Sequence, residues 1–350
     1  MSAATSSPAP FVCVSHADSR EVAVFSFNTA TGYLAEAQRL PVPGIAMPMA
    51  LSPDNRTLHV ALRSEPWAIA SFRIDGAAGR LRPLGVTPAA ANFAYIATDR
   101  GGRYLLGASF TGSCLAVAAI DNDGAVAAQA TQIVDTPAAA HCILADLKNR
   151  QLFVPCRDGN CVLRLPFDPA SGRVDEAAAR RIVMHDGAGP RHIAFHPSGA
   201  VLYLLNESDG SLVILPVDDM PGAPVPSAIP TPIQMCDACP PGFSGPAAAA
   251  DIHLTPDSRF LYASVRGSNT LAGFAVSQDG TGLSPIGHWR TETHPRGFAV
   301  SPDGCWLVAA GLHSHRLAVY GIDPASGVLD HRHTITSPGG PNWVTFVQPR

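Results

Sequence analysis

Apolar residues recur along this chain in short bursts at strand period. Runs such as AIASFRI (68–74), CVLRLPF (161–167), SLVILPV (211–217), TLAGFAV (270–276) and RLAVYGI (316–322) read as strands with apolar faces. Each follows a second apolar run, such as RTLHVAL or RFLYASV, and leads into a DxxxG turn and a weaker strand. A polar turn of the SPDG type opens every unit. The phrase LSPDNRTLHVAL (51–62) returns as IATDRGGRYLLGA (96–108), LADLKNRQLFVP (144–155), FHPSGAVLYLL (195–205), LTPDSRFLYAS (254–264) and VSPDGCWLVAA (300–310), with FVQPR (346–350) as a truncated seventh copy. Anchored on the SPD aspartate, the copies fall at 54, 99, 148, 198, 257, 303 and 349. That period suits one four-stranded antiparallel blade, and a lone blade cannot bury both faces, so blades must pack side by side in a ring.

The expected fold is therefore all-β, a seven-bladed β-propeller of four-stranded antiparallel blades. The N-terminal runs FVCVSH (11–16), EVAVFSF (21–27) and YLAEAQRL (33–40) lack an inner strand, and PNWVTFV (341–347) lacks outer ones. Their pairing would complete one blade and remove the open sheet edges. Residues 11–350 then form a single domain behind a disordered tail, residues 1–10. The Pro-rich stretch PGAPVPSAIPTP (221–232) reads as a loop insertion.

Composition narrows the function. With 350 residues and 46% hydrophobic content the chain can build a large core. A net charge of −4 and the lack of a basic run argue against nucleic acid. No apolar stretch reaches membrane-spanning length, and the first ten residues lack a signal-peptide pattern, so no membrane partner and a cytoplasmic location are expected. The eight cysteines are irregularly spaced, which does not suggest a disulfide framework. Cys236-Asp-Ala-Cys239 is a CxxC with no second ligand pair, so no metal and no cofactor are expected there or elsewhere.

Seven and six residues before each anchor lie Met47/Pro48, Asn92/Phe93, His141/Cys142, Arg191/His192, Ala250/Asp251, Arg296/Gly297 and Asn342/Trp343. These positions begin the innermost strands, so they should meet at one mouth of the central channel. His253 should share a face with Asp251, two residues away, and Glu207 ends the next strand of the Arg191 copy. His141, Arg191, His192, Asp251, His253 and Arg296 would thus converge, although a buried Asp–His pair is also a common structural brace. Two arginines suggest an anion, and histidines beside a carboxylate suggest proton transfer near neutral pH. Among the other histidines, His196 should cap its turn. His59, His288, His331 and His333 should be exposed. His313 and His315 should sit in an inter-strand turn.

The stretches MPMALSPDNRTLHVALR (47–63), GAGPRHIAFHP (187–197), LLNESDGSLVI (204–214), ADIHLTPDSRFLYAS (250–264), TETHPRGFAVSPDG (291–304) and AAGLHSHRLAVY (309–320) resemble the bacterial propeller-type 6-phosphogluconolactonases. The likeness runs from about residue 11 to the end. It implies hydrolysis of a sugar-acid lactone, with the phosphorylated lactone first and non-phosphorylated aldaric or aldonic lactones as the alternative. A lactone-forming cycloisomerase and a non-catalytic binding propeller are the more distant readings. The resemblance implies site residues at His141, Arg191, Glu207 and Arg296. On this reading the catalytic set is His253, Glu207, Arg191, His192 and His141. Arg296, Asp251, Asn92, Asn342 and Trp343 would bind substrate. The partner is a small anionic lactone, and the protein a monomer or weak homodimer.

Overall fold

The computed structural model describes residues 9–76, 78–217 and 231–348. They form seven antiparallel sheets. Six have four strands, and the sheet built on Gln151–Cys156 and Cys161–Asp168 carries a short fifth strand, Arg173–Val174. We number the blades I to VII in chain order. Their innermost strands are Pro341–Val347 for blade I, then Ala46–Leu51, Phe93–Thr98, Leu144–Ala145, Pro190–Phe195, Ala249–Leu254 and Pro295–Val300 for blades II to VII.

Blade I is assembled from both ends of the chain, as the missing strands required. Phe11–His16 pairs with the last strand in the register Phe11↔Val347, Val12↔Phe346 and Val14↔Val344. Cores lie between neighbouring blades. Val12, Val14, Phe25, Trp306 and Val308 bury one another between blades I and VII. Each such side chain stabilises by roughly 1.5–3 kcal/mol, so ring closure draws on the same apolar burial as the rest of the fold.

The repeated turns explain the repeat motif. Ser52 Oγ accepts the backbone N–H groups of Arg56 and Thr57 at 3.1 and 2.9 Å. Asp146 Oδ1 does the same for Arg150 and Gln151 at 2.7 and 3.0 Å. In the second copy the acceptor is Asp99, bonded to Arg103 and Tyr104 at 2.7 and 2.8 Å. Asp99 therefore corresponds to Ser52, not to Asp54, and this copy is shifted by two residues from the sequence alignment. His196 caps its turn through Ser198, at 2.8 Å from Nδ1 to Oγ. His59 is fully buried rather than exposed and binds Ser71 Oγ at 3.0 Å. Its strand, Thr57–Leu62, is covered on both faces by neighbouring blades. His331 is exposed, whereas His288 and His333 are half-buried. Most of the Pro-rich insertion lies outside the described residues, as do residues 1–8 of the tail.

Candidate active site

A bulge repeated in every blade builds the site. In blade V, Pro190 opposes Asn206 and His192 opposes Leu205, which leaves Arg191 as the extra residue. The same shift occurs at Pro295/Gly297, Ala46/Met49, Phe93/Tyr95 and Ala249/Ile252, and opposite Ser15/His16 in blade I. In blade IV the bridge Ala140↔Cys156 followed by Leu144↔Phe153 marks it. In a regular strand neighbouring side chains point to opposite faces, and a bulge re-aims one of them. Arg191 and His192 consequently lie on the same side, with Arg191 Nη1 3.2 Å from His192 Nε2. The residue two before the bulge is left-handed in five blades, at Ala139, Gly189, Ala248, His294 and Gly340. Gly189 has a second reason to lack a side chain, since a Cβ there would approach Ser208 Oγ to 2.3 Å.

These bulges aim side chains from different blades at one another. The rings of His192 and His141 are 5.3 Å apart, and those of His192 and Trp343 5.9 Å. Tyr95 meets His192 at 5.0 Å and Trp343 at 5.1 Å, both edge to face. Blades I, III, IV and V thus touch at a single axial cluster. Because the second copy is shifted, Ala94 and Tyr95 occupy the ring position expected of Asn92 and Phe93. Asn92 instead accepts a hydrogen bond from Arg63 Nε at 2.7 Å. Asn342 is fully buried, and its Nδ2 donates to the Ala46 carbonyl at 3.1 Å. It braces blade I against blade II.

A second ring comes from the residue just after the second strand of each blade. It contains Arg63, Phe110, Arg157, Glu207 and Arg266. Three guanidinium groups converge on Glu207. Arg191 Nε donates to Oε2 at 2.7 Å, while Arg157 Nε and Arg266 Nη2 each lie 3.2 Å from Oε1. Arg191 also donates to the Ala250 carbonyl. Arg63, Arg157, Arg266 and Tyr95 escape the sequence reading, yet the three arginines share the offset of Glu207 from their turns. That shared offset is the signal that finds them. The residues closing on Glu207 beside Arg191 are Arg157 and Arg266, and among the described residues no hydrogen bond or ion pair joins Arg296 to it.

Asp251 is the second carboxylate of the site, and it is buried. Its Oδ1 binds His192 Nδ1 at 2.9 Å and the Ile252 N–H at 3.0 Å. Oδ2 binds His253 Nε2 at 3.1 Å and the Phe298 N–H of blade VII at 3.2 Å. Burial would raise its carboxyl pKa, but the contacts with His253 and His192 outweigh burial and hold it well below the usual carboxylate range. Burial, with Arg191 beside it, pushes the His192 imidazole down to about 4 against the pull of Asp251. His192 is therefore neutral at pH 7. Its Nδ1–H donates to Asp251 and its Nε2 lone pair accepts from Arg191.

Burial and the Arg191 charge push His141 well below its ordinary value, and its Nδ1 is buried without a partner. Glu207 is lowered too, because its arginines overcome the opposing effect of burial. Burial, followed by the charges of Arg191, Arg266 and Arg63, depresses Arg296. His253 is the accessible member, with 40% of its side chain exposed. Among the described residues no cluster of three or more His, Cys, Asp or Glu could hold a metal ion. The Cys236 and Cys239 thiols are pushed up by burial, Cys239 to about 12.

Fold and site together define a seven-bladed propeller whose axial funnel is lined by arginines, histidines, the buried Asp251 and the half-buried Glu207, an arrangement for acid–base chemistry on a small anion. The chain belongs to the family of lactonases with a 7-bladed beta-propeller, whose model matches residues 9–346. It is 36% identical over 336 residues to a 6-phosphogluconolactonase of Serratia proteamaculans, covering 96% of this chain and 98% of the relative. It is 38% identical over 335 residues to one of Yersinia pestis, covering 96% and 97%. Among solved structures it superposes on a periplasmic gluconolactonase of Pseudomonas aeruginosa with a TM-score of 0.88 at 25% identity, covering 97% and 99%. None of the described residues forms a helix long and apolar enough to cross a membrane.

Proposed function

We propose that this protein hydrolyses 6-phospho-D-glucono-1,5-lactone to 6-phosphogluconate. The observation that carries the reading is the excess of cationic charge in the funnel. Five arginines face two carboxylates, and among the described residues neither Arg63 nor Arg296 makes an ion pair with an acid, the charge of Glu207 offsetting only part of the repulsion on Arg296. A phosphorylated sugar lactone supplies the missing anion, and the names of the sequence relatives agree with it.

Ring opening needs an activated water and a stabilised oxyanion. His253 is the base. Asp251 holds its Nε2, leaving Nδ1 to take a proton from water as the oxygen attacks the lactone carbonyl. Glu207, held by three guanidinium groups, is too weak a base and acts as the anchor that fixes Arg191. Arg191, with the neutral His192 behind it, faces the developing oxyanion. Collapse of the tetrahedral intermediate breaks the ring C–O bond, and the proton returns to the leaving hydroxyl from imidazolium or through His141. Trp343 and Tyr95 flank the sugar. Free thiols, including Cys156 and Cys161 opposed across a turn, favour a reducing, cytoplasmic setting.

The test is hydrolysis of freshly generated 6-phosphogluconolactone beside gluconolactone, glucarolactone and galactarolactone. The expected result is a kcat/KM at least tenfold higher for the phosphorylated substrate. Preference for an aldarolactone would overturn the substrate, and inactivity on all four would overturn the enzymatic reading.

A further inference from the structure

Arg191, Arg157 and Arg266 are committed to Glu207. Arg63 and Arg296 are committed to no acid, and they stand on either side of blade I at the mouth of the funnel. The chain of contacts between them is short. Gly297, next to Arg296, lies against blade I so closely that a Cβ would come within 2.4 Å of the Asn342 carbonyl oxygen. Asn342 in turn donates to the carbonyl of Ala46 at 3.1 Å. Met47, the next residue, receives Arg63 Nη1 on its sulfur at 3.6 Å. Arg63 Nε is fixed by Asn92 at 2.7 Å, so the guanidinium is oriented while Nη2 has no partner among the described residues. Both side chains are half-buried, which weakens screening and raises the cost of leaving their charges uncompensated. Their mutual repulsion depresses Arg296 further.

Two guanidinium groups without an ion-pair partner among the described residues, Arg63 held in place by Asn92, suit a ligand carrying close to two negative charges on a tetrahedral group, because a guanidinium fork can take two phosphate oxygens. We propose that Arg63 and Arg296 form a phosphate clamp across blade I, and that Arg63 decides between phosphorylated and non-phosphorylated lactones. The inference deepens the lactonase reading and rests on it. The lactone carbonyl then lies toward blades IV to VI, and the sugar chain spans the Trp343–Tyr95 wall.

The experiment compares wild type, Arg63→Gln and Arg63→Lys. Steady-state hydrolysis is measured with 6-phosphogluconolactone and with gluconolactone, and calorimetry measures binding of 6-phosphogluconate and of gluconate. Losing one charged hydrogen-bonding group predicts that Arg63→Gln raises KM and the 6-phosphogluconate Kd by about tenfold to a hundredfold. The kcat should change by less than about twofold, the losses with gluconolactone and gluconate should stay below about threefold, and Arg63→Lys should recover part of the loss. Equal losses on both substrates, or none on either, would overturn the clamp. Arg63→Lys retains the charge if the glutamine variant folds poorly, and equal binding of 6-phosphogluconate and gluconate to wild type would also overturn it. Failure of wild type to hydrolyse any lactone, with selective 6-phosphogluconate binding intact, would sink the catalytic reading and leave the clamp standing.

Discussion

Blades IV to VI and blades VII to III face the same axis with opposite chemistry. On the first arc every charged side chain has a partner. Glu207 gathers three arginines, and Asp251 gathers two histidines and two backbone N–H groups. On the second arc Arg296 and Arg63 are unmatched, and the surrounding groups are Trp343, Tyr95, Met47 and Phe110. A matched network is rigid because removing one member strands the rest in low dielectric. An unmatched cation invites a ligand. The contrast teaches that reaction geometry belongs to the first arc and substrate choice to the second.

The largest effect should come from breaking the matched arc. Arg191→Ala removes the oxyanion donor and leaves Glu207 and His192 each short of a partner. It should lower kcat/KM by about a hundredfold to a thousandfold, the range for one such donor. A steady-state loss below about threefold would refute the assignment. A smaller but more specific effect should follow His253→Gln. The loss of proton transfer predicts a fall in kcat of roughly a hundredfold or more, with the pH dependence of kcat flattened and KM little changed. Unchanged kcat would return the Asp251–His253 pair to the role of a brace between strands.

The smallest effect concerns stability and separates the site from the rest of the ring. His16, His59 and His192 are buried, and burial pushes each down to about 4 from an ordinary value near 6.5. Between those values the unfolded chain binds protons that the folded one refuses, so stability falls as pH drops from 6.5 toward 4. Each histidine contributes a slope of about 1.4 kcal/mol per pH unit. Urea titrations across that window should show the loss. Replacing His59, whose ring binds Thr57 and Ser71 rather than a funnel residue, should reduce the slope by about one proton without altering activity at neutral pH. An unchanged slope would contradict the burial argument.

Much of this was legible in one dimension. The turns at Ser52, Asp146, Thr255 and Ser301 repeat in sequence because each side chain accepts the backbone N–H five residues on, and His196 closes the equivalent turn through Ser198, so the blade count follows from spacing. His141, Arg191, His192, Asp251, His253 and Arg296 were found by their offset. The copy at Asp99 misleads because aspartate can cap from the serine position as well as two residues later, and the two-residue slip puts Asn92 and Phe93 where Ala94 and Tyr95 belong. Arg63, Arg157 and Arg266 went unnoticed because an arginine after a strand usually reads as a solvated end. Only a ring turns that position inward.

What the sequence by itself determined is the fold, since strand period, turn chemistry and repeat length are local properties that survive without contacts. It also determined which residue types reach the mouth of the channel. Tertiary structure alone decided how they pair: that Glu207 holds three arginines, that Asp251 bridges His192 and His253, and that Arg63 and Arg296 make no ion pair among the described residues. Pairing depends on bulges that re-aim neighbouring side chains and on contacts between blades whose partners, such as Asn342 and Ala46, lie 296 positions apart in the chain. Charge neutralisation falls off over a few ångströms, and no linear pattern encodes it.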